Sequence, residues 1–189
     1  MRKFSKFLTI VTLSLLVGGV ANAQINVGIS PGIQLPMGDF EDNFNFGYGG
    51  SVSVEYLVTK NIGVGLNAGY YIFEPDKNDD CCMMPIALTG KYYFLTEKFK
   101  PYGGVDVGYY ILNTKMRGPV SGQRSESNGY IGLAPVLGFQ YGFTNALALD
   151  INAKYNHIFS DGSSTSTLGF NVGLVYSFGK GKGKDRDDD

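Results

Sequence analysis

The sequence has almost no net charge and few cysteines. Its 16 basic and 17 acidic residues leave a formal net charge of −1, so it lacks the basic excess typical of nucleic-acid-binding proteins. The two cysteines, Cys81 and Cys82, are adjacent, a spacing that rarely allows a relaxed disulfide between them. Gly (27), Tyr (13) and Phe (13) are abundant instead, a composition that fits many short strands. We therefore expect no nucleic-acid partner and no disulfide framework.

Long apolar runs are also missing, except at the start of the chain. Three basic residues within positions 2–6 precede the apolar run Phe7–Val20, and Ala21-Asn22-Ala23 is a small-x-small cleavage site. This order is that of a secretory signal peptide. We predict that residues 1–23 are removed and that the mature chain begins at Gln24. No later stretch approaches the roughly 20 apolar residues of a spanning helix.

After Gln24 the chain alternates apolar and polar residues with a period of two, the pattern of β-strands. Most of the eight runs have ten to thirteen residues, and a tilted strand needs about 9–11 to cross a bilayer. The runs are Ile25–Pro36, Gly47–Val58, Ile62–Phe73, Pro85–Leu95, Pro101–Leu112, Gly129–Phe143, Ala146–His157 and Thr167–Phe178.

The connections between these runs alternate in length. The four long ones are Met37–Phe46, Glu74–Met84, Asn113–Asn128 and Ile158–Ser166. The three tight ones are Thr59–Asn61, Thr96–Lys100 and Thr144–Asn145. Long extracellular loops and short periplasmic turns are the pattern of outer-membrane barrels, so we predict that the long connections lie outside the cell.

The two faces of the predicted strands differ in charge. No Asp, Glu, Lys or Arg falls on the apolar face of any run, whereas five charged residues fall on the other face, which Gly, Ser, Asn and Thr dominate. An apolar outer face and a cramped polar interior fit an eight-stranded barrel in lipid. We predict an all-β, closed, eight-stranded antiparallel transmembrane β-barrel of up-and-down topology over residues 24–178. Its lumen would hold a polar network of Glu55, Lys91, Asp106, Asp150, Lys154, Asn67, Asn152 and Asn171.

Two prolines interrupt the predicted strands. Pro135 lies inside the sixth run and Pro31 near the start of the first. Proline cannot donate to a ladder, and a closed barrel offers no free edge for it. We expect a local bulge at Pro135 and a milder disturbance at Pro31.

The last run, Thr167–Phe178, ends in alternating aromatic residues with a final Phe. It resembles the closing strand of outer-membrane barrels, which the barrel-assembly machinery reads. With the glycine-rich runs Gly47–Tyr56 and Gly63–Tyr71, nearly the whole mature chain is similar to the small outer-membrane β-barrel family, which includes the OmpA transmembrane domain, OmpX and OmpW. The resemblance implies a monomer in the outer membrane of a gram-negative bacterium, in contact with its lipid and lipopolysaccharide. Residues 179–189 are too few for the peptidoglycan-binding domain of OmpA-like proteins, and we expect a disordered periplasmic tail.

Three side-chain groups could carry chemistry. The charged lumen residues suggest either a pore or a structural network, and confinement in a side-chain-filled interior favours the network. His157 and Ser160 resemble the His-x-Ser pair of lipid A deacylase barrels, but their spacing puts them on opposite faces of an ideal strand. The acidic and sulfur-rich stretch of Asp76 and Asp79–Met84 could capture a metal, but it has no ligand spacing of a known site and fits a solvated loop.

Family members differ in role, so the resemblance specifies location more firmly than activity. We expect a structural, membrane-integrity or surface-interaction (adhesion-type) role, with no catalysis, cofactor or metal. The first alternative is a narrow OmpW-like channel for small solutes. The second is a lipid A-modifying barrel enzyme.

Overall fold

A computed structural model describes residues 24–38, 44–75, 79–116, 124–159 and 164–179. The predicted signal peptide lies outside the described residues, as does the tail after Gly179. Among the described residues, no helix has the length and apolar character to cross a membrane. The chain forms eight strands: β1 (Gln24–Met37), β2 (Phe44–Leu57), β3 (Ile62–Pro75), β4 (Asp79–Tyr93), β5 (Phe99–Met116), β6 (Arg124–Gly142), β7 (Leu147–Phe159) and β8 (Ser164–Phe178).

The eight strands form a closed barrel in which each strand pairs antiparallel with its neighbours in sequence. We call the end of the barrel where tight turns join the strands the inner end, and the opposite end the outer end. The last strand pairs with the first, and at the inner end of this β1–β8 ladder Ile25 pairs with Phe178. Closure leaves no sheet edge within the wall, as hydrocarbon requires. The predicted fold class, topology and strand number are confirmed.

The two faces of the barrel wall differ in polarity as the sequence predicts. Large apolar side chains point outward, among them Leu88 at 68% exposed and Leu137 at 69%. Charged side chains point inward, and Glu55 and Asp150 are each 3% exposed. Such an inversion of the usual polarity is stable only where lipid surrounds the outer face.

Aromatic side chains on the outer surface gather toward both ends of the barrel. One set of neighbouring rings lies at the ends joined by tight turns: Tyr92–Phe94, Tyr141–Phe143 and Tyr176–Phe178. Another set lies at the opposite ends: Phe46–Tyr48, Tyr155–His157 and His157–Phe159. Two such girdles mark the interfaces between hydrocarbon and water.

Strand pairing extends further at the outer end than the sequence predicts. β4 begins at Asp79, so the stretch Asp79–Met84 is part of a strand and not a solvated loop. β5 and β6 pair as far as Met116 and Arg124, well inside the predicted loop Asn113–Asn128. The prediction stopped where the apolar alternation weakens, but backbone pairing continues past the lipid because water does not require an apolar face.

The expected bulge at Pro135 is wrong. Pairing of β6 with β7 lapses at Ala134 and Pro135 but resumes without a register shift, from Leu133 opposite His157 to Val136 opposite Lys154. Pro31 interrupts the β1–β8 ladder in the same way. A missing N–H therefore removes one hydrogen bond without inserting a residue. Among the described strands, a register shift lies between Phe44 and Gly47.

Arginine placed on the outer face should destabilise the barrel according to depth. Val52 lies midway along β2 and is exposed, and Val58 lies at the inner end of the same face. We expect Val52→Arg to lower the free energy of unfolding by about 2–4 kcal/mol and Val58→Arg by about 0–1 kcal/mol. Urea unfolding in lipid vesicles, followed by circular dichroism, measures both. Equal losses would contradict the lipid-facing assignment.

The adjacent cysteines should react differently with thiol reagents. Cys81 is buried inside the barrel, whereas Cys82 points outward near the outer end and is partly exposed. An impermeant maleimide applied to intact cells should label Cys82 alone. Cys82→Ser should abolish labelling and Cys81→Ser should leave it unchanged. Labelling that requires a breached outer membrane would reverse the predicted orientation.

Candidate functional site: the barrel lumen

An ion pair bridges β2 and β4 in the inner half of the lumen. Lys91 Nζ lies 3.0 Å from Glu55 Oε2. The other oxygen, Oε1, accepts hydrogen bonds from Tyr93 Oη at 2.7 Å and Asn26 Nδ2 at 3.2 Å. Gly63, on the strand between, makes room for the carboxylate, because a Cβ there would lie 2.7 Å from Glu55 Cδ.

A second ion pair bridges β5 and β7. Lys154 Nζ lies 2.6 Å from Asp106 Oδ2, and the Asp106 side chain is buried whereas that of Lys154 is partly buried. Each lysine thus reaches past one intervening strand to neutralise a carboxylate. Such pairs offset the large cost of leaving a charge unpaired in a confined interior.

Asp150 is held by neutral donors. Its carboxylate accepts hydrogen bonds from Tyr102 Oη at 3.0 Å, Gln140 Nε2 at 3.0 Å and Asn152 Nδ2 at 2.6 Å. Lys91 approaches the same region, with Nζ 4.9 Å from the centre of the Tyr102 ring. Three donors from three different side chains therefore converge on one buried carboxylate.

The predicted asparagines extend this network toward the outer end. Asn171 Nδ2 donates to Asn152 Oδ1 at 3.0 Å, and Tyr71 Oη donates to Asn171 Oδ1 at 3.0 Å. Asn67 lines the small central cavity. The structure therefore brings all eight predicted lumen residues into one interior, with seven of them in direct hydrogen bonds or ion pairs.

Sequence reasoning missed a second polar cluster nearer the outer end. Asn156 Nδ2 donates to Gln34 Oε1 at 3.1 Å and to Thr167 Oγ1 at 3.0 Å, and Tyr110 Oη donates to Asn156 Oδ1 at 3.1 Å. Thr167 Oγ1 also donates to Gln34 Oε1 at 3.0 Å. Lys100 was missed too: it was assigned to a turn, but it pairs with Gln140 and lines the inner mouth.

Three of the inward tyrosines lie in Tyr-Tyr doublets of the sequence. Tyr70-Tyr71, Tyr92-Tyr93 and Tyr109-Tyr110 each place one ring outward and one inward, because successive residues of a strand face opposite sides. Counting tyrosine as an apolar, lipid-facing residue concealed the second member. Assigning alternate residues strictly to opposite faces along each doublet would have identified these three tyrosines as inward-facing.

Two packed clusters of side chains lie in the lumen. The outer cluster consists of Tyr71, Phe73, Cys81, Met83, Tyr110 and Ile158, with Leu112 and Tyr130 against it. The inner cluster consists of Tyr93, Tyr102 and Val136, with Leu57 against it. Between them remains a cavity of about 30 Å³, enough for roughly two water molecules. Below the inner cluster the mouth opens into a recess of about 600 Å³.

The other two candidate groups do not assemble as a site. His157 Nδ1 lies 3.1 Å from Ser166 Oγ on β8, and Ser166 is only 7% exposed. Ser160, the predicted partner, lies outside the described residues. Cys81 and Cys82 face opposite sides of β4, and the described residues contain no group of three metal-ligating side chains. Asp76 also lies outside the described residues.

Removing one member of an ion pair should destabilise the barrel. Lys91→Ala leaves Glu55 buried without its cation, and we expect a loss of about 3–5 kcal/mol in the free energy of unfolding. Lys98→Ala, at an exposed turn, should change it by less than about 0.5 kcal/mol. Lys91→Met combined with Glu55→Gln should recover part of the loss. If Lys91→Ala and Lys98→Ala unfold alike in urea, the ion pair contributes nothing.

Comparison with known proteins agrees with this architecture. Neisserial surface protein A shares 17% identity, with 82% of this chain and 97% of that chain covered and a TM-score of 0.65. A major outer membrane protein of Thermus thermophilus shares 15%, with 82% and 99% covered and a TM-score of 0.63. OprG of Pseudomonas aeruginosa shares 17%, with 84% and 96% covered and a TM-score of 0.56.

Sequence comparison gives the family. A protein of Haemophilus influenzae is 33% identical over 96 residues, which cover 49% of this chain. The chain spans about half the length of that curated relative, 51%. The family model described as "Outer membrane protein beta-barrel domain" matches residues 9–178, most of the chain. The chain therefore belongs to the outer membrane protein β-barrel family, and its location is the outer membrane.

Proposed function

We propose that this protein is a closed, non-conducting barrel with a structural, membrane-integrity or surface-interaction role. The observation that supports this is the pair of clusters that fill the lumen above and below the charged network. A barrel without a path through it acts through its stability in the membrane and through what it presents at the surface. It does so as a monomer, with lipid and lipopolysaccharide around it, after insertion by the barrel-assembly machinery.

A narrow channel for small solutes is the second candidate. The central cavity and the inner mouth are the parts of the lumen that favour it. Tyr93 and Tyr102 separate the two spaces, with ring centres 5.4 Å apart. Passage would require these rings and the outer cluster to move together, so conductance separates the two functions.

A lipid-modifying activity is the weakest candidate. The hydrogen bond between His157 and Ser166 lies on the outer surface beside the aromatic girdle, where lipid esters are within reach. Ser166 is almost covered, which opposes its use as a nucleophile. Mass analysis of lipid A from cells with and without the protein tests this activity, and we expect no difference.

Current measurement in planar bilayers tests the closed lumen. We expect no steady conductance from the wild-type barrel, or from Tyr102→Ala, because the outer cluster still blocks the path. Combining Tyr102→Ala with Phe73→Ala and Met83→Ala removes side chains from both clusters and should produce ion current. Tyr92→Ala, on the lipid-facing side, is the matched control and should stay silent. Steady current through the wild-type barrel would favour the channel instead.

A further inference from the structure

The part of the lumen between the two clusters carries an unbalanced negative charge. Among the described side chains, its charged groups are three carboxylates and two ammonium groups, those of Glu55, Asp106, Asp150, Lys91 and Lys154. Each lysine pairs with one carboxylate, so one carboxylate is left over and the net charge is −1. Lys100 lies nearer the inner end and lines the inner mouth, which Tyr93 and Tyr102 separate from the central cavity.

Hydrogen bonds spread the left-over charge but do not cancel it. Asp150 accepts from Tyr102, Gln140 and Asn152, and all three donors are neutral. In a confined interior with little water, a net charge is costly unless a cation or a proton compensates it. The lumen therefore needs one further positive charge.

The small central cavity offers oxygen atoms to such a charge. Four inward residues on four successive strands line it: Ser53 pairs with Asn67 across β2 and β3, and Thr89 pairs with Asp106 across β4 and β5. Thr89 also pairs with Gly65, two residues before Asn67, so the four form one row along the wall. Hydroxyl, amide carbonyl and carboxylate oxygens are the ligands that hard cations take. We call these four residues the oxygen row.

Two groups of the oxygen row have no hydrogen-bond partner among the described residues. Thr89 is 6% exposed, and its hydroxyl makes no hydrogen bond to another described group. Asp106 is 2% exposed, and Lys154 contacts its Oδ2 and leaves Oδ1 without a donor. Because buried polar groups are nearly always satisfied, both groups need a partner in the cavity that they line.

The size and charge of the cavity favour one monovalent cation. Its volume of about 30 Å³ has room for an ion and one water molecule. A divalent ion would replace an excess negative charge by an excess positive one. The described residues contain no group of three His, Cys, Asp or Glu side chains that could hold a metal, so hydroxyl and amide oxygens must supply most of the coordination.

We infer that the oxygen row binds one alkali cation in the central cavity, as the counter-ion of the lumen. The unfolded chain has no such cavity, so the ion stabilises the folded barrel. This goes beyond the proposed structural role, because it makes the stability of the barrel depend on a specific cation. Conductance does not bear on it.

Urea unfolding in zwitterionic lipid vesicles tests the site when the salt is varied. The protein is refolded in sodium chloride or in N-methylglucamine chloride at the same ionic strength, and the organic cation is too large for a cavity of about 30 Å³. We expect the unfolding constant to be about tenfold lower when Na⁺ is present at about ten times its dissociation constant. The effect should saturate as Na⁺ replaces the organic cation.

Thr89→Val keeps the shape of the side chain and removes one oxygen from the row. We expect it to need about tenfold more Na⁺ for the same effect, which corresponds to one lost ligand. Thr167→Val is the matched control, because Thr167 lies in the polar cluster nearer the outer end and does not line the cavity. It should lower stability in both salts and leave their ratio unchanged. Asp150→Asn removes the excess charge and should abolish the dependence on Na⁺.

Nuclear magnetic resonance in lipid nanodiscs locates the ion. When Na⁺ replaces N-methylglucamine, the side-chain amide signal of Asn67 should shift and that of Asn156, in the polar cluster nearer the outer end, should not. Unchanged gel mobility of the folded barrel shows that each variant is folded.

Four results would overturn the inference. The wild-type barrel has equal unfolding constants in the two salts, which means that a proton or water satisfies the cavity. Asp150→Asn keeps the Na⁺ dependence of the wild type. Thr89→Val needs no more Na⁺ than Thr167→Val. The signals of Asn67 and Asn156 shift alike, which means that Na⁺ acts on the barrel as a whole.

Discussion

Pairing of every backbone N–H and C=O within the wall is the constraint on which this structure depends. Hydrocarbon offers no partner, so an unpaired group costs several kcal/mol and the sheet must close on itself. The β1–β8 ladder provides that closure. Within the described strands, the interruptions at Pro31, Pro85 and Pro135 each remove a single donor and leave the register unchanged. A bulge would displace every residue beyond it to the wrong face, which is a larger penalty than one lost bond.

Closure in lipid also determines the chemistry of the lumen. Apolar residues must face outward, so the polar residues of eight strands are confined in a narrow interior where bulk water is scarce. Charged side chains are stable there only when they are paired with an opposite charge or surrounded by hydrogen-bond donors. Glu55 and Asp106 each form an ion pair with a lysine, and Asp150 accepts hydrogen bonds from a tyrosine and two side-chain amides. These long side chains cross the lumen, so the network that satisfies the charges also fills the space.

The sequence predicted what depends on parity alone. Strand number, closed topology and the inward position of all five charges follow from a period of two, which lipid enforces strictly. Prediction from alternation failed where the face of a particular residue had to be known exactly, and where the strands extend beyond the lipid. Tyr71, Tyr93 and Tyr110 were hidden by their outward neighbours. Gln34 and Thr167 lie in runs that carry no charge, and Asn156 lies beyond the charged part of its run. The partners of each carboxylate could not be predicted, because contacts across a barrel depend on its stagger and not on spacing along the chain.

The same constraint explains why strand pairing is uneven only above the membrane among the described strands. Within the lipid every backbone group is committed to the wall, and inside it the side chains are committed to one another. Beyond either girdle water can hydrogen-bond an unpaired strand edge, and at the outer end the pairing of β6 with β5 runs seven residues past its pairing with β7. An edge of this kind would be ruled out a few residues lower by the cost of exposing its donors to hydrocarbon. The position of this edge above the lipid is therefore one where water can satisfy its backbone hydrogen-bonding groups.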